Sequence, residues 1–267
     1  MLSRTHALAR RLRALRRDSA LRRAEGVFVA EGLHLAEEAF SAGASIELAV
    51  VTPRLDATAE GRAIRRRLAA GGVEIHAATE ATLEALQDAR SPQPILLLAR
   101  GAARPLGEVV ADRGGLPLLV VADGIQDPGN LGGIVRTADA AGATGLVATA
   151  AGADLFHPRA VRATMGSIFR LPLAATPYGE ATEQARRTGL VVVGAVPRDG
   201  TPYDRFDWRR PVALVLGGEG AGLPASAQEG LEERVTVPLR TGVESLSVGA
   251  AAAVLLFEAA RSRARGE

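Results

Sequence analysis

The stretch LPLLVVADGIQDPGNLGGIVRTADAAGATGLVAT, residues 116–149, decides the fold. It opens with a continuous apolar run typical of a buried strand, passes through an acidic turn rich in proline and glycine, and continues into a helix near residues 131–141. A second apolar run follows at residues 144–149. Strand, helix and strand in this order predict a βαβ unit, the building block of an open parallel sheet.

Apolar runs and amphipathic stretches alternate along the rest of the chain as well. Downstream, this pattern predicts three more strands and a closing alanine-rich helix, at residues 190–196, 212–216, 234–237 and 248–263. Upstream, it predicts a smaller α/β domain with mainly parallel strands. Proline and glycine interrupt the pattern between the two parts. We therefore expect two α/β domains, residues 1–100 and 116–267, joined by a linker at residues 101–115.

Composition excludes several classes of protein. The chain has 267 residues, 47% of them hydrophobic and 23% charged, which is typical of globular domains and not of disordered, collagen-like or coiled-coil chains. No apolar stretch reaches the roughly 18 residues that a membrane-spanning helix needs. Cysteine is absent, and the 4 histidines are scattered without ligand spacing. These features predict a cytoplasmic protein without a bound metal or a membrane partner.

Positive charge is concentrated at the start of the chain. Residues 1–23 contain eight arginines and a single acidic residue, Asp18, and the whole sequence contains no lysine. Leu8, Leu12 and Leu15 recur at helical spacing. Two interpretations fit this segment: a helix that packs an apolar edge and exposes solvated charges, or a face that binds the phosphates of a nucleic acid.

The turn of the first βαβ unit could bind a ligand, because ligands of open α/β sheets collect where strands end. If Asn130 caps the helix, Gly132 and Gly133 leave its first turn uncovered. Arg136 lies on the same face as these glycines, so its guanidinium could join the helix dipole in an anion site. An ordinary capped helix with packing glycines fits equally. The pattern GxGxxG is absent, which disfavours a dinucleotide-dependent oxidoreductase.

Two later motifs also place glycines and polar residues after a strand. LVLGGEGAGLP, residues 214–224, isolates Glu219 among glycines that would allow a flat ligand to approach the backbone, although a flexible turn fits as well. VTVPLRTGVESLSVGAAAAVLLFEAARSR, residues 235–263, places Ser245 or Ser247 where either could cap the closing helix. Taken alone, this third motif is most often part of a core.

Together, in this order and spacing, the three motifs resemble the SpoU or TrmH branch of the SPOUT-class RNA methyltransferases. The similarity runs through DPGNLGGIVRTADAAG, LGGEGAGL and VPLRTGVESLSV. The arginine-rich start, EGVFVAEGLHLAEEA and SPQPILLLA are similar to the substrate-binding domain of ribose methyltransferases that act on ribosomal RNA. The resemblance covers nearly the whole chain.

The resemblance implies a particular fold and reaction. The C-terminal domain would be a SPOUT-type parallel sheet with a trefoil knot, the N-terminal one a ribosomal-protein-like α/β substrate-binding domain, and the protein a homodimer. The enzyme would transfer a methyl group from S-adenosyl-L-methionine to a ribose 2′-hydroxyl of RNA, and the N-terminal domain favours ribosomal over transfer RNA. Arg136 would act by electrostatic stabilisation, because its guanidinium stays protonated, or as the general base.

The resemblance also assigns residues. The catalytic positions are Asn130, Arg136 and Ser247. The cofactor-binding positions are Gly217, Gly218, Glu219, Gly222, Val237, Pro238, Ser245 and Leu246. The arginines expected to contact RNA are Arg10, Arg11, Arg13, Arg16, Arg17, Arg159 and Arg162. Ser247 stands where the third motif of the family usually has asparagine, which leaves open a noncatalytic RNA-binding or ribosome-assembly protein.

Overall fold

The computed structural model describes residues 1–87, 92–110, 115–219 and 222–264. The chain forms two compact units, one comprising Met1–Ala102 with Phe156–Phe169 and the other Ala103–Leu155 with Arg170–Glu267. The helices are α1 (Ala7–Arg17), α2 (Ser19–Glu25), α3 (Leu33–Ser41), α4 (Ala59–Ala70), α5 (Glu80–Glu84), α6 (Leu106–Val110), α7 (Pro128–Ala140), α8 (Pro158–Ala163), α9 (Tyr178–Arg187), α10 (Ala225–Glu229) and α11 (Val248–Ala264). Short 3-10 helices span Pro53–Ala57 and Ser167–Phe169.

Most of the strands lie close to the positions that the apolar runs predict, but β7 and β9 lie where no strand was predicted. They are β1 (Val27–Glu31), β2 (Ile46–Val51), β3 (Glu74–Ala77), β4 (Ile95–Arg100), β5 (Leu118–Asp123), β6 (Gly145–Thr149), β7 (Leu173–Thr176), β8 (Val191–Ala195), β9 (Thr201–Pro202), β10 (Val212–Gly217) and β11 (Glu233–Thr236). In the part of the chain that the structure covers, no helix is both long and apolar enough to cross a membrane.

The sheet of the first unit has the order β1-β4-β2-β3. Strands β2 and β3 are parallel, but β4 is antiparallel to both of its neighbours. The expectation of mainly parallel strands was therefore wrong for this unit. The physical reason is that residues 95–99 are buried throughout, and a continuously apolar run does not encode the direction of its strand.

The predicted amphipathic helix at the start of the chain is α1. Its side chains Leu12 and Leu15 are fully buried and belong to one core cluster with Val29 and Leu98 of the sheet. Asp18 ends α1 and caps α2, accepting hydrogen bonds from the N–H groups of the next helix. Packing on the sheet therefore fixes which arginines of α1 face outward.

The sheet of the second unit has the order β7-β6-β5-β10-β8-β11-β9, and every pairing in it is parallel. This confirms the α/β class and the central βαβ unit. Valines of the inner strands form its core with Leu223. Because parallel strands end at the same edge, the turns after β5, β10, β8 and β11 are neighbours.

The two units divide the chain differently from the expected domains. Helix α6 lies inside the expected linker, but Val109 and Val110 are buried in the core of the second unit. A helix of five residues is too short to show a periodicity in the sequence. Residues 111–114 of the expected linker lie outside the described residues. Phe156–Phe169, from the C-terminal half of the chain, packs with the first unit, where α8 contacts β1.

Candidate active site

Close backbone contacts join the first two motifs. Gly217, at the end of β10, is the register partner of Asp123 at the end of β5. A Cβ atom on Gly218 would lie 2.5 Å from the carbonyl oxygen of Gly124, and one on Gly217 would collide with the backbone of Gly222. The glycines at 217 and 218 are therefore required by the packing of backbone on backbone.

A cavity of about 450 Å³ opens beside this contact, where strands β8, β10 and β11 end. Predicted cofactor residues among its lining are Gly217, Gly218, Glu219, Gly222, Val237, Ser245 and Leu246, and Ser247 joins them. Pro238 is exposed between the lining residues Val237 and Leu239. The structure thus brings the second and third motifs to one cavity.

Sequence reasoning missed one wall of this cavity, which is formed by Ala195, Val196 and Pro197 at the end of β8. The available signal was the apolar run at residues 190–196. Because ligands gather at the ends of parallel strands, the residues that follow this run were candidates as well.

Helix α7 begins earlier than predicted. It starts at Pro128, and its N-cap is Asp127, whose Oδ1 accepts a hydrogen bond of 3.0 Å from the N–H of Asn130. Asn130, considered above as a possible cap, therefore lies inside the first turn, because proline is favoured at the first helical position and aspartate is a strong cap before it. Gly132 and Gly133 consequently lie in the second turn of the helix.

Glu219 connects this turn to the second motif. Its Oε1 accepts a hydrogen bond of 2.8 Å from Nδ2 of Asn130, and its Oε2 accepts one of 3.0 Å from the N–H of Gln126. With Asp127 as the cap, two of the protein's own carboxylates face the start of α7. The expected open anion site at the first turn is therefore occupied by Asp127 and Glu219.

Burial alone raises the pKa of the Glu219 carboxyl, but hydrogen bonds from Asn130 and from backbone N–H groups outweigh it and lower the pKa. A carboxylate with a lowered pKa stabilises the fold above its unfolded pKa, and this stabilisation is lost as the pH falls through the folded value. At pH 7 we expect Glu219→Gln to lower the melting temperature by about 2 °C, the small effect of a largely solvated site. Melting curves followed by fluorescence should show that the difference in melting temperature between the variant and the wild type disappears below pH 4.5, the ordinary pKa of a glutamate carboxyl. A difference in melting temperature that did not change with pH would contradict the lowered pKa of Glu219.

Gln126 fixes the same turn from the opposite side, which sequence reasoning did not foresee. Its Nε2 donates to the carbonyl oxygens of Ala151 at 2.8 Å and Gly124 at 3.1 Å. The buried hydroxyl of Thr149 accepts a hydrogen bond of 3.0 Å from the N–H of Gly124. The turn after β5 is thus held between the loop after β6 and Glu219.

Arg136 lies on α7, and Ser247 directly precedes α11, the helix that packs against α7. Arg136 is exposed, one turn after Gly133, where an added Cβ atom would meet open space. Ser247 caps α11: its Oγ accepts a 3.3 Å hydrogen bond from the N–H of Ala250. Of the two serines considered as caps, the structure selects Ser247.

The arginines predicted to contact RNA fall into two groups on α1. Arg10 and Arg17 are exposed away from the buried leucines, and Arg13 is half-buried at the edge of the same face; we call these three the outer arginines. Nη2 of Arg13 donates a hydrogen bond of 2.7 Å to the carbonyl oxygen of Arg4. Arg11 instead forms ion pairs with Glu25 at 2.6 Å and Glu47 at 2.8 Å. Its hydrogen bond to Glu25 raises the pKa of the Arg11 guanidinium.

The other predicted RNA contacts are also unequal. Arg16 is half-buried and donates a long hydrogen bond of 3.4 Å to the carbonyl oxygen of Ala85. Arg159 is exposed on α8. Arg162 places Nη1 at 3.7 Å from a carboxylate oxygen of the buried Glu31. Charge alone therefore does not distinguish outward arginines from those that hold the first unit together.

Metal ligands are not grouped in the described parts of the chain, where no cluster of three or more histidine, aspartate or glutamate side chains could hold an ion. The cavity is lined by backbone groups, apolar walls, the hydroxyl of Ser247 and the carboxylate of Glu219, which holds the amide of Asn130. Arg136 does not line the cavity but is exposed on α7, the helix that carries Asn130. Such a set can bind an organic cofactor and stabilise negative charge.

Comparison with known proteins identifies the family. The profile of the SpoU rRNA methylase family matches residues 117–257, and that of the MRM3-like substrate-binding domain matches residues 9–97. The 23S rRNA (guanosine(2553)-2'-O)-methyltransferase RlmP of Bacillus subtilis is 31% identical over 186 residues, which cover 70% of this chain and 72% of that protein.

Solved structures agree. The AdoMet-bound rRNA methyltransferase from Sinorhizobium meliloti is 30% identical, with a TM-score of 0.85 over 98% of this chain and 97% of that one. The SpoU methyltransferase AviRb from Streptomyces viridochromogenes, in complex with AdoMet, is 28% identical, with a TM-score of 0.88 over 98% of this chain and 100% of that one. Since the family profile spans more than half of the sequence, this chain belongs to the SpoU rRNA methylase family.

Proposed function

We propose that this protein transfers a methyl group from S-adenosylmethionine to a ribose 2′-hydroxyl of ribosomal RNA. The observation that carries the proposal is the convergence of the three motifs, in which Glu219 lines the cavity and also holds Asn130. The reaction printed for the Bacillus subtilis relative, 2′-O-methylation of 23S rRNA, supports it.

The residues around the cavity fit this cofactor. A volume of about 450 Å³ lies in the range of small-molecule sites. Val196, Leu239 and Leu246 provide apolar walls for a flat base, and Gly217 and Gly218 line the cavity beside them. When bound there, the cofactor would supply an electrophilic methyl group. The protein's task is then to orient the ribose oxygen and to stabilise its negative charge.

Asn130 is suited to orient the ribose. A carboxylate can only accept hydrogen bonds, so the atom of Asn130 that faces Glu219 must be Nδ2. Its Oδ1 therefore faces away from Glu219 and can accept a hydrogen bond from a ribose hydroxyl. In this proposal Glu219 is a positioning residue, because it fixes the direction of the amide.

Arg136 stabilises the charge. Because an arginine side chain carries positive charge in proteins, it can hold an RNA phosphate and lower the energy of the negative charge that develops on the 2′-oxygen. The hydroxyl proton passes to water. Arg136 is exposed on α7, where a large substrate can reach it.

The first unit binds the RNA in this proposal, mainly through the outer arginines, with Arg11 and Arg16 supporting the helix that carries them. Arg159 adds a further contact, and Arg162 adds one through the part of its guanidinium that does not face Glu31. We extend the proposal to a homodimer with a knotted catalytic domain, as the family resemblance implies, and to a cytoplasmic location, as the composition predicts.

A second candidate function is RNA binding without catalysis. One observation favours it: Ser247 occupies the position where the family motif has asparagine, and its hydroxyl accepts the hydrogen bond that caps α11. Calorimetry with S-adenosylmethionine and a methyl-transfer assay separate the two candidates. A protein that binds RNA but transfers no methyl group would support the second.

Ser247→Asn is expected to raise methyl transfer up to about tenfold, because asparagine supplies a second polar group and a longer reach. Asparagine caps helices as well as serine does, so the melting temperature should stay unchanged. Single-turnover methyl transfer and thermal melting measure the two effects. An unchanged rate at unchanged stability would show that serine suffices for catalysis.

The direct test uses purified protein, S-adenosylmethionine with a tritiated methyl group, and unmodified transcripts of 16S rRNA, 23S rRNA and tRNA. We expect label in ribosomal RNA, located on a ribose by mass spectrometry. Label in tRNA alone would show that tRNA, and not ribosomal RNA, is the substrate. Label on a base would contradict methylation of the ribose 2′-hydroxyl.

A further inference from the structure

Met165 has an unusual backbone conformation. Among the described residues, it and Asp199 are the two that have a positive φ without being glycine, with values of 48° and 60°. A side chain in this region is crowded by its own backbone, so such residues are rare outside asparagine and aspartate. Strained residues of this kind persist where the surrounding structure holds them, and they cluster at functional sites.

Helix α3 holds the turn that contains Met165. The carbonyl oxygen of Met165 lies 3.3 Å from Nε2 of His34. Gly166 follows with φ 95°, and a Cβ atom there would lie 2.5 Å from Cγ of Glu38. The hydroxyl of Thr164, fully buried before the turn, donates to the carbonyl oxygen of Val161 at 2.7 Å. The backbone is therefore fixed, and Met165 must take the left-handed conformation.

The conformation of the turn does not explain why position 165 is a methionine. Glycine or asparagine would adopt the same conformation at lower cost. The Met165 side chain is also not buried, since 39% of the residue is exposed. A large apolar side chain is thus left partly exposed on a turn that the surrounding hydrogen bonds hold in a strained conformation.

The surroundings of Met165 indicate a nucleic acid. Helix α8 ends just before the turn and carries Arg159 and Arg162. Arginine binds phosphate, whereas a polarisable thioether packs well on flat π systems. Aromatic residues make up only 3% of the chain, so few side chains are available to stack on bases. An exposed methionine beside arginines can contact the face of a base and its flanking phosphates.

We propose that Met165 packs against an unstacked nucleobase of the RNA substrate, while Arg159 holds a neighbouring phosphate. This inference rests on the proposed function, because it needs RNA as the substrate. Apolar side chains are known to insert at unstacked bases. The rigid turn reduces the entropy that the side chain loses on binding.

The test compares Met165→Gly and Met165→Asn with Met165→Leu. Both of the first two fit the turn but lack the apolar tip, and leucine keeps it. Filter binding to an unmodified 23S rRNA transcript should show about fivefold weaker binding for glycine and asparagine, at the low end of base-stacking effects, and near wild-type binding for leucine. The melting temperature of Met165→Gly should stay unchanged or rise by up to about 4 °C.

Salt dependence separates base contact from phosphate contact. Met165→Gly should leave the slope of log affinity against log salt unchanged, whereas Arg159→Ala should reduce it by about 0.7–0.9. Asp199→Gly, at the second strained position, is the matched control, and it should relieve strain without weakening RNA binding.

If the wild type binds RNA and Met165→Gly binds it with the same affinity, this inference is wrong and the proposed function is unaffected. A wild type that neither binds nor methylates any of the transcripts would overturn both.

Discussion

Arg136→Ala is expected to lower the turnover number of methyl transfer by about 10²- to 10³-fold, the usual effect of removing one group that stabilises developing charge. Arg136 is exposed on α7, beside the open second turn at Gly133, and this helix packs against α11. Because Arg136 is not among the residues that line the cavity, the KM for S-adenosylmethionine should change by less than about threefold.

Arg136→Lys tests how the charge acts. Lysine keeps the positive charge but loses the planar guanidinium that binds phosphate through two hydrogen bonds. We therefore expect a turnover number between those of the wild type and the alanine variant. Arg187→Ala, an exposed arginine near the end of α9, is the matched control and should retain full activity. Near-normal turnover of Arg136→Ala would contradict both the electrostatic and the general-base role.

The parallel sheet and the cavity could be predicted because the relevant signals are local. Buried strands appear as apolar runs, and the glycines at 217 and 218 mark the place where backbones approach closely. What sequence could not show was the reason for those glycines, because a Cβ at 218 collides with Gly124, which lies 94 residues away along the chain. Local patterns do not contain contacts of that kind.

Caps and partners were harder to predict for a related reason. Asp127 and Asn130 are both good caps, and the choice depended on Pro128 occupying the first position of α7. Glu219 was recognised as an isolated acid, but its hydrogen bond to Asn130 joins residues from two motifs. Arg11 could not be told from its neighbours until the fold brought Glu47 within reach.

Because the outer arginines of α1 are separated from Arg11 in the fold, we expect their replacement to have a large effect on RNA binding. Replacing the outer arginines together, Arg10→Gln, Arg13→Gln and Arg17→Gln, should weaken binding to an unmodified 23S rRNA transcript by about 10²-fold at 0.15 M salt. The magnitude of the slope of log affinity against log salt should fall by about 2–3, because each of the three lost phosphate contacts removes about 0.7–0.9. Electrophoretic mobility shifts at several salt concentrations measure both quantities.

Arg11→Gln distinguishes RNA contact from general loss of positive charge. It removes one charge from the same helix but breaks the pairs with Glu25 and Glu47, so it should lower the melting temperature and leave the salt slope nearly unchanged. The outer-arginine variant should melt close to the wild type, because Arg10 and Arg17 are exposed and Arg13 loses only one solvent-exposed hydrogen bond, to the carbonyl oxygen of Arg4. If Arg11→Gln instead reduced the slope by about one third of the reduction seen in the triple variant, RNA affinity would depend on net charge alone. In that case the RNA would not bind one particular face of α1.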